Sequence, residues 1–503
     1  MYTELFFDDY RLFGREGTKR KYGRPKLIAT YTDANFSSDY PSPFVLERDG
    51  KYIMLYIGKH RESKAGALLA AISDDGVDFT PLNIGDIGID GRLAENEVMP
   101  LKNGQEPLAI IEYPEGGDDE RYIMIMTEAE YRTRYVVFSY VMTSPDLVHW
   151  HRRDGELPGF TCEPIGGAFH NASKNCYTVI HRSTWGTRDV GYADTKDFRT
   201  FTDHEVCLHQ DALDAPLDEL YGMPTFAYGG MYIGLLSVYA DNAPSRCVKY
   251  DSGNIYPQLA YSSDGHHFTR SLRTSFLPEY KGQPSVFWLY SMKERANDIL
   301  LYAAHSDEPH GRCFSENKTG RISIYSLRRD GFICLSADEN TATVTTREYI
   351  YGGGEININI SAKHATAAII DTTSDENDNI LAKGHVVPGF DHCDCDEFSG
   401  DSTCWHPKFA GGPIDVFTGK TVLVEVRYSG GELYSVSGDL TPIGNTDAAR
   451  YRLRRAGKIK QTGRLCNRRR KNSPAFIKTL DIIGKILYNG FKAKIKIISE
   501  VSS

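Results

Sequence analysis

Four times along this 503-residue chain one short phrase returns: Ser73-Asp74-Asp75-Gly76-Val77-Asp78-Phe79, Ser144-Pro145-Asp146-Leu147-Val148-His149-Trp150, Thr195-Lys196-Asp197-Phe198-Arg199-Thr200-Phe201 and Ser262-Ser263-Asp264-Gly265-His266-His267-Phe268. The pattern is Ser/Thr-x-Asp-x-x-x-Phe/Trp. A hydroxyl and a carboxylate two residues apart satisfy the backbone of a tight turn, and the aromatic four residues past the Asp returns to an apolar layer. Recurrence every roughly 50–70 residues, between strand-like runs, is what a radial array of small sheets produces.

The runs before each phrase are rich in β-formers: Lys51–Tyr56, Arg121–Met126, Cys176–Ile180 and Met231–Leu236. A fifth, Asp298–Tyr302, has no phrase after it but is followed by Arg321–Tyr325 and Arg329-Asp330-Gly331-Phe332. Five units make one ring, whereas an ordinary sandwich has no reason to repeat its hairpin chemistry at one period. The expected fold class is therefore all-β: a five-bladed β-propeller over 35–332 after an N-terminal segment of 1–34. The texture then changes, with alternating strands such as Thr341–Thr346, Glu355–Ile360 and Thr421–Val426 punctuated by Gly352-Gly353-Gly354 and Gly430-Gly431. A β-sandwich over 333–440 is expected there, and a basic C-terminal tail over 441–503.

Charge is distributed unevenly. The chain carries −9 overall, but Arg450 to Ser503 holds 16 Lys/Arg against Asp481 and Glu500, so the tail is +14 and the remainder −9 − 14 = −23. An acidic body argues against nucleic acid as a partner. The tail's apolar residues, from Phe476-Ile477 to Phe491, have amphipathic helical spacing suited to a membrane surface or a partner, though a solvated extension is the simpler expectation. Ten scattered cysteines and an opening without the basic and apolar parts of a signal peptide point to a reduced, cytoplasmic setting. No stretch approaches the ~18 apolar residues that span a bilayer.

An Asp near a Pro-rich turn, then Asp49-Gly50-Lys51-Tyr52 and a β run, in a five-repeat chain, resembles the five-bladed propeller glycosidases of glycoside hydrolase families 32 and 43. The resemblance covers about 35–332, and implies three carboxylates from different blades converging on a central funnel. Carboxyls are what the chemistry needs: one protonates the leaving oxygen, another attacks or activates water. The catalytic candidates are Asp39, upstream of Pro41-Ser42-Pro43, Glu163 in Cys162-Glu163-Pro164, and Glu219 in Asp218-Glu219-Leu220-Tyr221-Gly222-Met223-Pro224. Asp39 is expected as base or nucleophile and Glu219 as proton donor. Glu112 and Asp218 are alternates. His170, Arg182, Trp185 and Tyr221 are candidates to meet sugar. Asp39 and Glu219 stand three residues upstream of the family's positions, which points to a divergent member.

No cofactor or metal is expected. His392-Cys393-Asp394-Cys395 and Cys404-Trp405-His406 are read as a turn-rich loop, since Cys-x-Cys is tighter than structural zinc spacing. The function expected is hydrolysis of a glycosidic bond in a furanosyl or related sugar; the alternative is a propeller that binds carbohydrate without cleaving it. Phosphorolysis ranks below both, because it needs a basic pocket in the funnel and no Arg/Lys cluster is assignable there from sequence.

Overall fold

The computed structural model describes residues 1–443 apart from 39, 86–91, 103, 132–134, 158–159, 161–165, 184–187, 241–252, 282–284, 311–319 and 373–384. Nearly all of them fall in one compact unit, Met1–Asp371 with His385–Pro442. Among them no helix is long and apolar enough to cross a membrane.

The repeats form five antiparallel blades. Each begins with an inner strand: Phe44–Arg48, Gln105–Glu112, Gly167–Asn171, Asp218–Gly222 continued by Thr225–Tyr228, and Val286–Glu294. The β-rich runs read from the sequence lie within the second strands, Lys51–His60, Tyr122–Tyr131, Cys176–Arg182, Met231–Ala240 and Asp298–Ser306. Residues from all five inner strands, among them Val45, Ala109, Gly167, Thr225 and Ser291, line a channel of about 40 Å³ on the axis. The blades meet closely here: a Cβ on Gly166 would lie 2.8 Å from Leu108 Cδ1 of blade two, and one on Gly167 3.1 Å from Pro224 Cα of blade four.

Each recurring phrase is the turn from third to fourth strand. In blade two the Asp146 carboxylate accepts from the Val148 and His149 N–H groups at 3.0 and 2.8 Å, and Ser144 Oγ accepts from Asp146 N. Asp75, Asp197 and Asp264 repeat this arrangement. The residue after the Asp is always left-handed, at φ 77° for Gly76, 69° for Leu147, 52° for Phe198 and 78° for Gly265. The carbonyls these turns leave over accept from the preceding blade. Tyr302 donates to Gly76 O at 2.8 Å, Arg48 to Asp146 O at 2.5 Å, Tyr113 to Lys196 O at 3.2 Å and Asn171 to Asp264 O at 2.9 Å.

Blade five has no such turn because its fourth strand comes from elsewhere. Lys26–Tyr31 pairs antiparallel with Arg321–Arg328, so the N-terminal part of the chain closes the ring. Where the phrase would stand, Asp330 at φ 57° is gripped by blade four, accepting from Tyr228 Oη at 2.6 Å. At the axis Ser291 Oγ donates to Pro43 O at 2.8 Å and accepts from Val45 N at 3.0 Å, joining blades five and one.

The strands expected after 333 are present, in a ten-stranded sheet that also takes Tyr2–Leu5, Leu12–Glu16 and Thr18–Tyr22 from the N-terminal segment. Its longest strand, Tyr349–Asp371, pairs with Gly431–Pro442 along its first half and with Thr421–Ser429 along its second. One continuous core joins Leu235, Leu259 and Leu301 of blades four and five to Val344, Ile358 and Val424 of this sheet. Ser435 donates to the same Asp330 at 2.6 Å. Residues 444–503, and with them most of the basic tail, lie outside the described residues.

Asp146 is held down at about 2. Burial opposes this shift, but the bonds from the His149 backbone and ring and from the Val148 N–H outweigh it. A carboxyl depressed on folding stabilises above its ordinary value near 4, and that contribution disappears as pH falls through about 2. Asp146→Ala should therefore lower stability by about 1 kcal/mol at pH 7, a modest figure because the carboxylate is 23% exposed. Urea denaturation at stepped pH should show the gap from wild type closing between pH 4 and 2.

Candidate active site

In an up-and-down blade the starts of the inner strands and the loops from second to third strand share one face of the ring, and the third-to-fourth turns lie on the other. The recurring turns thus belong to one face. The opposite face, the mouth, gathers Tyr40, Glu106, Glu219 and Tyr221 at or near inner-strand starts, with Arg182, Arg188 and His310 at or beyond the ends of second strands.

His310, Arg182 and Arg188 converge on Tyr221. Its hydroxyl shares a 2.8 Å hydrogen bond with His310 Nε2, its ring stacks on Trp288 at 5.7 Å, and the guanidinium carbons of Arg182 and Arg188 lie 4.9 and 4.6 Å from its centre. Tyr40 packs on Trp288 at 4.1 Å and donates to the His310 carbonyl at 2.9 Å. Arg188 also donates to Glu219 Oε2. His310 is pushed down to about 3, first by burial and then by the charges of Arg188 and Arg182.

Of the sequence candidates, Glu219, Tyr221 and Arg182 come together here. Asp39, Glu163 and Trp185 lie outside the described residues. Asp218 points away from Glu219, since successive strand residues face opposite sides; its carboxyl is pushed up to about 6 by burial and by Asp214. Two candidates are not brought to the mouth. Glu112 ends its inner strand beside the turn face and pairs with Arg121 at 3.0 Å, both partly exposed. His170 likewise stands near the end of its inner strand, exposed, with its ring 5.3 Å from Tyr177. A strand has two ends, and only its start faces the mouth.

The blade-two carboxylate at the correct end is Glu106, which sequence reading missed. It starts the inner strand, and its charge acts on Tyr290, whose hydroxyl is raised by burial first and then by Glu106 and Tyr221, while a bond with Ser42 opposes. A signal was present: Gln105-Glu106-Pro107 repeats the Glu-Pro of Cys162-Glu163-Pro164 one blade earlier. The basic cluster not assignable from sequence also exists. Arg182 ends a second strand and Arg188 follows on its loop, so neither lies on an inner strand where the funnel was sought.

Among the described residues no group of three His, Cys, Asp or Glu is placed to hold a metal. In the Cys/His segment, His392 bonds Thr366 and Glu425, and Cys395 Sγ accepts from Ala367 N.

No family model and no curated protein matches the chain. Solved structures similar to it include a glycoside hydrolase (15% identity, 61% of this chain and 92% of that one, TM-score 0.41). A Listeria innocua β-1,2-mannobiose phosphorylase with bound β-1,2-mannobiose aligns at 11% identity, over 65% and 96%, with a TM-score of 0.40. A Bombyx mori GH32 β-fructofuranosidase aligns at 12% identity over 84% and 95%, with a TM-score of 0.39.

His310 should stay uncharged across neutral pH. NMR of its imidazole should show no titration between pH 5 and 8, and Arg188→Gln should raise the apparent value, because removing a neighbouring cation favours the protonated ring. A wild-type midpoint near 6.5 would contradict this environment.

Proposed function

We propose that this chain is a glycoside hydrolase that cleaves at the mouth of the ring, with Glu219 and Glu106 as paired carboxyls. The observation that carries this reading is positional. Two carboxylates start the inner strands of different blades on the same face of the ring, beside a cluster of Tyr40, Tyr221, Trp288 and Tyr290. Aromatic faces of this kind suit the apolar face of a sugar. The axial channel below has room for little more than a water molecule, so the sugar is held above it.

The bond from Arg188 makes Glu219 a hydrogen-bond acceptor, the posture of a nucleophile or base, in place of the donor role suggested by the sequence. Glu106 then takes the donor role, which needs a carboxyl that reaches the leaving oxygen. Asp39 and Glu163 stay in the set as the sequence's acids for blades one and three. The substrate class implied by the resemblance is a furanosyl or related glycoside.

A panel of aryl glycosides tests the assignment. Glu219→Gln and Glu106→Gln should each lower kcat/KM by roughly 10²-fold or more on any glycoside the wild type cleaves, the scale of a positioned acid or base. Azide should restore turnover to Glu219→Ala by direct attack on the anomeric carbon, giving a glycosyl azide of configuration opposite to the substrate's. Undiminished hydrolysis by Glu219→Gln would sink the assignment, and saturable sugar binding with no turnover by wild type would identify a binding propeller instead.

A further inference from the structure

Two guanidiniums stand at the mouth, and the Glu219 carboxylate is bonded to one of them, Arg188. Arg182 and Arg188 reach the mouth from one blade and lie against one tyrosine ring, 4.9 and 4.6 Å from its centre, with Arg188 also 5.4 Å from that of Tyr239. Both are largely withdrawn from water: Arg182 is 7% exposed and the Arg188 side chain 12%. Guanidiniums withdrawn from water suit an oxyanion, which offers them bidentate, charge-assisted bonds. The Glu219 carboxylate, bonded to Arg188, shows that the site accepts an oxyanion of this shape. The field felt at His310 agrees in sign, since both arginines push its imidazole down after burial has done so.

We propose that Arg182 and Arg188 form an oxyanion subsite beside the bond being cleaved, taking either the carboxylate of a uronic acid residue or inorganic phosphate. Its place beside a scissile bond rests on the hydrolase reading; its capacity to bind an anion does not. With a uronide the substrate brings the anion and water remains the acceptor. With phosphate, a phosphate oxygen bonds to the anomeric carbon as the bond from that carbon to the leaving oxygen breaks. The leaving oxygen takes a proton from the carboxyl acid, and the product is a glycosyl phosphate.

Two measurements on the full chain test this. In the first, galacturonate, glucuronate, inorganic phosphate and, as a neutral control, glucose are titrated by calorimetry into wild type, Arg182→Gln and Arg182→Lys, with thermal unfolding as the check on folding. One class of anion should bind, and Arg182→Gln should weaken it roughly 10–10²-fold, as expected for a charged hydrogen bond, with Arg182→Lys intermediate. In the second, aryl uronides and neutral aryl glycosides are turned over with and without phosphate. Preference for uronides with no effect of phosphate identifies the substrate carboxylate, and phosphate-dependent release of glycosyl phosphate identifies phosphate. If neither anion binds, or if whichever anion binds wild type binds a folded Arg182→Gln as tightly, the subsite is overturned even where neutral glycosides are still hydrolysed. Anion binding sensitive to Arg182 without any turnover upholds the subsite and removes the hydrolase reading.

Discussion

The ring depends on what its turns leave unsatisfied. In each Ser/Thr-x-Asp phrase the side chains satisfy the turn's N–H groups, and the carbonyls around the Asp remain as acceptors. The preceding blade supplies the donor: Tyr302, Arg48, Tyr113 and Asn171 in turn. A local motif therefore does a long-range job. Leu147 and Phe198 hold left-handed backbone that glycine adopts more readily, a strain of order 1 kcal/mol that persists only where surrounding contacts over-determine it.

Closing a ring from a linear chain needs one joint unlike the others. Here it is the pairing of Lys26–Tyr31 with Arg321–Arg328, close to 300 residues apart, which gives blade five its outer strand. Asp330 stands where the missing turn would be and ties together blade four through Tyr228, blade five through its own backbone and the ten-stranded sheet through Ser435. The first 31 residues thus serve both bodies: three strands enter the ten-stranded sheet and the fourth completes the ring.

The two faces of the ring divide the work. The turn face carries the repeated, mutually gripping hairpins, while the mouth carries the irregular residues: one tyrosine shared by two arginines, a histidine and a tryptophan, with Glu219 bonded into the set. Loops held on such a scaffold vary without loss of the fold, which is why function concentrates there. Glu112 and Glu106 make the point within one strand, since six positions along the same backbone separate an ion pair at the turn face from a carboxylate at the mouth.

The number of blades, their second strands and the chemistry of their turns were legible in the sequence, because each rests on residues within about ten positions of one another and on a strand period of two. The missing fifth phrase was visible too, but not its reason. Which strand replaces it, which end of an inner strand faces the mouth, and that Arg182 and Arg188 meet Glu219 and Tyr221 were decided only by tertiary structure. Those facts depend on how blades tens to hundreds of residues apart are turned toward a common axis, and no local spacing records a direction in space.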